Sequence, residues 1–335
     1  VYRDNKLLDD GLPMNFVLNH GALGDVITSL PAIIVARREN PFTEMRVWAP
    51  PWQMDLLAHL LKPYGNFEIK DFKTFPMKKA ERENWDGGHV ALNQMPFNTH
   101  TRNRVHMVDY TFGCLLDSRP ESMYERNYPT RAPLGLQSIA LLGSAPGYVV
   151  FPVGATSENK LFRASVMAPV IEWADDQGYL PVLVGTKASH TQAESAGTLT
   201  PIVIIDEVAK LPATTRGKCL DMREKTTLLG LRDLCGYASA VVGVDGGTLH
   251  LAGTTDTNII YAMGATLPKH RYVARRGDPH YKIRYVGPRN LECTGCQSNW
   301  RMSRQDFRFC AYGDSACMER LHPDDFIEGL KELGL

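Results

Sequence analysis

Short, nearly uninterrupted apolar runs alternate with longer amphipathic stretches along almost the whole chain. In the first half "NFVLN" leads into "VITSLPAIIVARREN", "MRVWAP" into "PWQMDLLAHLLKP", and "FEIKDF" and "HVALNQM" follow. In the second half "YVVFPVG" precedes "FRASVMAPVIEWADDQG", and "LPVLVG", "PIVIID", "AVVGVD" and "NIIYAMG" read as further buried strands, with "LLGLRDLCGYA" a helix between two of them. Runs this short and this apolar fit strands covered on both faces. Their alternation with helical periods predicts α/β units with parallel sheets. The alternation occurs twice, interrupted by an irregular stretch over 128–147. The expected organisation is therefore two Rossmann-like domains, at 1–140 and 141–335, the second ending in a cysteine-bearing tail (290–320) and a closing helix. That helix is "HPDDFIEGLKELGL", with Phe326, Ile327, Leu330 and Leu333 on one face. Open parallel sheets bind ligands beyond the carboxyl ends of their strands. Two such domains facing each other would enclose a cleft.

Composition narrows the class. With 335 residues, 44% hydrophobic and 22% charged, the chain reads as globular, and it carries no low-complexity tract. No apolar run reaches the roughly eighteen residues that a transmembrane helix needs. The opening "VYRDNKLLDDGLP" lacks the zones of a signal peptide. A cytoplasmic location is the expectation. The 37 basic and 37 acidic residues balance, which disfavours a general nucleic-acid coat.

Three loops at strand-to-helix junctions carry candidate chemistry. In "NHGALGDV", Gly21 and Gly24 allow a tight turn and Asp25 follows. Asp25 is either a cap for the next helix or a carboxylate presented to a ligand, and Pro31 would interrupt or kink that helix. In "FPVGATSENKLF", Gly154, Ala155, Thr156 and Lys160 could grip a phosphate through amides, a hydroxyl and an ammonium; the alternative is a polar loop with a solvated lysine. In "VVGVDGGTLHLAGTT" a buried strand ends at Asp245, Gly246 and Gly247 follow, and Thr248 and His250 open a short helix. This third loop suits an anion, or else holds an ordinary cap and a core histidine. Neither a G-x-G-x-x-G nor a P-loop occurs.

"GALGDVITSLPAI" followed by "VVGVDGGTLHLAGTTDTNIIYAMGAT" resembles the heptosyltransferase-like glycosyltransferases, glycosyltransferase family 9, over residues 14 to 330 in order and spacing. The resemblance implies the GT-B fold, two Rossmann-like domains facing across a cleft. It also implies inverting transfer from a nucleotide-diphosphate sugar without a metal at the sugar. By position Asp25 matches the family's catalytic base. Gly24, Gly154, Ala155, Thr156, Lys160, Asp245, Gly246, Gly247, Thr248 and His250 fall in the loops that bind the donor. Asp245-Gly246-Gly247 stands where relatives often have Asp-Thr-Gly. The loop "VGTKASHT" lacks the acid that holds the donor ribose in some relatives, so ADP-heptose is not assumed. No D-x-D motif is present, in keeping with a metal-free sugar site.

Of seven cysteines, Cys293, Cys296, Cys310 and Cys317 fall in one window as C-x2-C, thirteen residues, C, six residues, C. Four thiolates suit a structural zinc or iron ion; two disulfides or free thiols are the alternatives. The autotransporter branch of the resembled family carries a comparable iron-holding cluster. Cys114, Cys219 and Cys235 read as packing residues.

The leading expectation is thus an inverting transferase acting on a glycan, lipid-linked or protein hydroxyl, with a nucleic-acid acceptor disfavoured and oligomeric state open. His100, Arg102, Arg104 and His106 are acceptor-side candidates. The competing classes are a non-catalytic GT-B binding module and a GT-B epimerase.

Overall fold

The computed structural model describes residues 13–18, 23–75, 89–91, 147–187, 189–195, 198–268, 282–296, 310 and 314–335. His100, Arg102, Arg104, His106, Cys114 and most of the 128–147 stretch lie outside them. The chain divides into two compact units. The first is Val1–Pro133 with Ser195–Gly197 and Ala274–Pro279; the second is Leu134–Glu194, Thr198–Val273 and His280–Leu335.

In the first unit, strands β1 (Met14–Val17), β2 (Met45–Ala49), β3 (Glu68–Asp71) and β4 (His89–Ala91) form a parallel sheet in the order β3-β2-β1-β4. Helix α1 (Leu23–Glu39) connects β1 to β2 and α2 (Pro51–Leu61) connects β2 to β3. The apolar spacing in α1 is helical: Val26, Ile27, Leu30, Ile33 and Ile34 are buried along one side. Trp48 at the end of β2 donates its indole N–H to Asn15 at 2.8 Å, satisfying two buried polar groups across neighbouring strands.

In the second unit six parallel strands run in the order β12-β11-β10-β5-β6-β9. They are β5 (Tyr148–Val153), β6 (Leu180–Gly185), β9 (Leu220–Asp221), β10 (Ala240–Val244), β11 (Asn258–Ala262) and β12 (Ile283–Val286). Every residue of β10 is buried, as expected for a central strand. Pro152 is tolerated in β5 because the β5–β10 pairing involves only Val149 and Val150, so its missing N–H falls beyond that ladder. Around the sheet lie α3 (Ala164–Asp176), α4 (Ala213–Gly217), α5 (Leu228–Gly236), α6 (Gly247–Ala252), α7 (Ala316–Glu319) and α8 (Pro323–Glu332).

One expectation needs correction. The run "PIVIID" does form a strand, β8 (Thr198–Ile204), but it pairs with β7 (Ser189–Ser195) in a separate two-stranded sheet. Val203 is 43% exposed there, so an apolar run marked a strand without marking its sheet. The closing helix α8 docks its apolar face on its own unit. Phe326 and Leu330 are fully buried in that core, and the Phe326 ring stacks on Phe162 with centroids 5.3 Å apart. Gly329 lets the helix lie close: a Cβ there would come within 3.0 Å of Ile260 on β11.

Candidate functional site

Asp245 is the centre of the best-defined polar constellation among the described residues. It follows directly on β10 and is fixed by its own N–H donating to Ala262 O at 3.0 Å. Its side chain is only 6% exposed, yet both carboxylate oxygens are occupied. Lys160 Nζ donates to Oδ2 at 2.7 Å and Thr266 Oγ1 donates to the same oxygen at 3.1 Å. Tyr261 Oη donates to Oδ1 at 2.5 Å, and His250 Nε2 stands 3.6 Å from that oxygen and 3.4 Å from the tyrosine hydroxyl. A buried carboxylate is expensive unless it is matched by a cation and hydrogen bonds, and here it has both.

The local sequence explains this geometry. β5 ends at Val153 and Gly154 turns the chain with φ of +92°, where an added Cβ would come within 2.6 Å of Thr186 O. Only glycine suits that position. Ala155 then exchanges backbone bonds of 2.8 and 2.9 Å with Ile205. A single tight turn over Glu158–Lys160 follows, in which Ser157 Oγ contacts Asn159 Oδ1. The turn aims Lys160 at the end of β10, the strand next to β5 in the sheet.

Gly154, Ala155 and Thr156 thus lie on one loop with Lys160, and Asp245, Gly246, Gly247, Thr248 and His250 on another, at adjacent carboxyl strand ends. Gly246 is extended, and a Cβ there would meet only Val244 O at 3.5 Å. The protein's own packing therefore does not demand a glycine at 246. His250 is buried within the six-residue helix α6 and meets the Tyr261 ring edge-on at 6.1 Å. Tyr261 and Thr266 both fall within "NIIYAMGAT", where nothing in the sequence marks them as partners of Asp245. Their roles appear only once β11 is paired beside β10, with Tyr261 opposite Gly243.

In the first unit Gly24 and Asp25 are the second and third residues of α1. Asp25 is therefore within the first helical turn rather than the residue preceding it, which corrects the cap reading. The helix runs continuously through Pro31, whose side chain is buried.

Cys296 and Cys317 pack against the second unit's core, and Cys293 and Cys310 lie near enough to act on the Cys317 thiol. Among the described residues no group of three or more His, Cys, Asp or Glu is arranged to hold a metal ion. Gly264, just beyond β11, touches both segments. Its carbonyl accepts the Gly295 N–H at 2.7 Å, fixing the Cys293–Cys296 turn, and a Cβ on Gly264 would lie 2.6 Å from Cys317 Cβ. Burial first, and then the neighbouring Cys296, Cys310 and Cys293, push the Cys317 thiol up to about 12. Four sulfur donors in one electrostatic neighbourhood are chemically suited to a thiophilic ion such as zinc or iron.

Comparison with known proteins follows from this architecture. The fold is GT-B, the two-domain α/β class of many glycosyltransferases. Residues 120–275 match the family model of glycosyltransferase family 9 (heptosyltransferase), a match that supports glycosyltransferase activity. The iron-containing dodecameric glycosyltransferase TibC from enterotoxigenic E. coli H10407 aligns with a TM-score of 0.67 at 17% identity, over 96% of this chain and 76% of TibC. The family 9 glycosyl transferase from Veillonella parvula aligns at 0.66 and 13% identity, over 98% and 99% of the two chains. The E. coli ADP-heptose lipopolysaccharide heptosyltransferase II aligns at 0.61 and 16% identity, over 96% and 98%. No curated protein matches the chain in sequence.

Proposed function

We propose that this chain is an inverting glycosyltransferase that moves a sugar, heptose or a relative of it, from a nucleotide-diphosphate donor to a hydroxyl acceptor. The observation that carries the reading is the 2.7 Å pairing of Lys160 with Asp245 at the carboxyl ends of two neighbouring strands. It places an ammonium beside loops rich in small residues, where a diphosphate can approach closely. Structures of relatives in the same fold hold ADP-D-β-D-heptose in TibC and ADP in the heptosyltransferase WaaC, and these support a nucleotide-sugar donor here.

In this reading Gly154, Ala155, Thr156, Gly246, Gly247 and Thr248 line the diphosphate's approach, and Lys160 offsets the charge that grows on the leaving phosphate. Lys160 is then shared: Asp245 holds it in place before the donor arrives, and the diphosphate competes for it afterwards. Asp245 and His250 are buried, and Asp245 fixes the ammonium that meets the donor. Asp25 acts as the general base that takes the proton from the acceptor hydroxyl as that oxygen attacks the anomeric carbon. Attack opposite the departing diphosphate inverts that carbon. No divalent ion is required for the sugar step, because lysine and backbone N–H groups carry the electrostatic stabilisation. The acceptor is a glycan, a lipid-linked sugar or a protein hydroxyl.

The four cysteines, in the same proposal, hold one zinc or iron ion in a structural role. Cys293, Cys296, Cys310 and Cys317 would supply all four ligands, leaving no open position for chemistry. Elemental analysis of purified protein, with each cysteine replaced in turn by serine, tests this directly; metal contents unchanged by the substitutions contradict it.

A panel of nucleotide sugars, read first by thermal shift and then by release of free nucleotide, tests the main reading. One donor should raise the melting temperature and be consumed in the presence of an acceptor. Binding without turnover would favour a non-catalytic nucleotide-binding module, and a sugar altered at one stereocentre would favour an epimerase.

A further inference from the structure

In nucleotide-binding folds built on an open parallel sheet, the loop after the first strand meets phosphate, and an acid near the end of the second strand holds the hydroxyls of the ribose. β5 and β6 are those two strands in the second unit, and β6 runs out into Gly185-Thr186-Lys187, with no acid among them. The carboxylate that stands there comes from elsewhere in the chain. Glu224 lies in the turn after β9, the strand on the far side of β6 from β5.

That turn follows β6 to its carboxyl end. Met222 N–H donates to Leu183 O at 2.9 Å, and Glu224 N–H donates to Gly185 O at 3.0 Å. Glu224 Oε1 accepts the Lys187 N–H at 3.3 Å, and Oε2 lies 3.8 Å from Lys187 Nζ. The carboxylate is thus brought to the loop after β6, next to Thr186, whose carbonyl is the group that a Cβ on Gly154 would strike. The Gly154 loop and the Glu224 turn are also joined from behind. Ala155 pairs with Ile205, and the next residue, Asp206, accepts from Arg223 Nη1 at 3.2 Å. Arg223 Nε and Nη2 in turn grip both Asp221 oxygens, at 2.9 and 2.7 Å.

Two features set Glu224 apart from a residue that merely closes a turn. Its φ is +61°, a left-handed conformation that is unfavourable for a residue with a Cβ and that glycine adopts readily. Its side chain is 47% exposed, and the ion pair with Lys187 is long and open to solvent, so that pair adds little stability. Of roughly four acceptor positions on a carboxylate, the Lys187 N–H takes one, and the exposed edge has capacity for a diol.

We infer that Glu224 holds the 2′- and 3′-hydroxyls of the donor's ribose, so that the donor is a ribonucleotide-linked sugar and its 2′-deoxy counterpart is rejected. The inference rests on the donor reading above, in which the loop from Gly154 to Lys160 meets the diphosphate. The ribose hangs from that diphosphate by one methylene, so its hydroxyls fall beside the phosphate loop, where β6 ends. A carboxylate accepts both O–H groups of a diol at once, and a 2′-deoxyribose leaves one of those charge-assisted bonds unmade.

Calorimetric titration of the full chain with paired ribo- and 2′-deoxyribonucleoside diphosphates of adenine, guanine, uracil and cytosine tests it. The wild type should bind one ribonucleoside diphosphate roughly tenfold or more tighter than its deoxy partner. Glu224→Gly should bring that ratio close to one, chiefly by weakening the ribose member. Glycine suits a φ of +61°, so the melting temperature of the variant should be equal or higher. A loosened turn would weaken both members of a pair alike, so the ratio reports the carboxylate itself. Equal binding of the two sugars by the wild type, or discrimination that survives in Glu224→Gly, overturns the inference and leaves the donor reading in place. A wild type that binds no nucleoside diphosphate overturns both.

Discussion

Lys160 Nζ and Asp245 Oδ2 lie 2.7 Å apart although 85 residues separate them in the chain. One belongs to the loop after β5, the other to the end of β10, and the parallel pairing of those strands brings the loops together. Lys160 keeps a third of its side-chain surface exposed while Asp245 is buried. The ammonium can therefore meet a ligand without abandoning a carboxylate to the core.

Lys160→Met should remove that bridge. A charge-assisted hydrogen bond contributes about 1.5–3 kcal/mol, so donor affinity should fall roughly ten- to a hundredfold. Calorimetric titration with the nucleoside diphosphate measures it. Equal affinity in the variant would take Lys160 out of the donor site.

Tyr261→Phe should isolate the contribution of a residue fully buried beneath the site. The substitution leaves Asp245 Oδ1 without its 2.5 Å donor while preserving the ring. The expected cost is about 1–3 kcal/mol in urea unfolding, with weakened donor binding. Thr266→Val, which removes the 3.1 Å donor to Oδ2, should act in the same direction and less strongly.

These two residues show how far the sequence carries. The loops at Gly154 and Asp245 are legible because glycine, a hydroxyl, lysine and aspartate cluster where apolar runs end. Tyr261 and Thr266 are not legible, because a tyrosine within "NIIYAMG" reads as core until its strand is known to lie beside β10. Likewise β12 is not legible: Arg284 and Tyr285 break its apolar character, and it is a strand because it pairs with β11 at the sheet edge. The helix at Leu23 begins earlier than capping chemistry suggests, since Gly24, a poor helix former, is nonetheless its second residue.

Gly264→Ala tests the link between the cysteine region and the donor loops. The new methyl would fall 2.6 Å from Cys317 Cβ and 2.5 Å from Met318 Cε. Overpacking of this kind costs about 1–3 kcal/mol. Because Thr266 is two residues away, donor affinity should drop together with stability. A lower melting temperature with donor binding intact would show that the two regions are uncoupled.

Cys235 supplies a pH prediction that is independent of the site. Burial, partly countered by Arg232, pushes its thiol from 9.0 up to about 12. The folded chain therefore keeps a proton that the unfolded chain releases above its ordinary value. Stability should fall as pH rises from about 9 toward about 12. Chemical unfolding across that range should show the decline, and Cys235→Ala should make it shallower, the buried Cys317 and Cys219 thiols supplying the rest.

The central claim is that Asp25 takes the acceptor's proton while the loops around Asp245 and Lys160 hold the donor. Asp25→Asn keeps the size of the side chain and removes the base, so the decisive measurement pairs donor binding with transfer rate in that one variant. The account predicts wild-type donor affinity together with transfer slowed by roughly 10²–10⁴-fold. An Asp25→Asn protein that transfers sugar at the wild-type rate would contradict it.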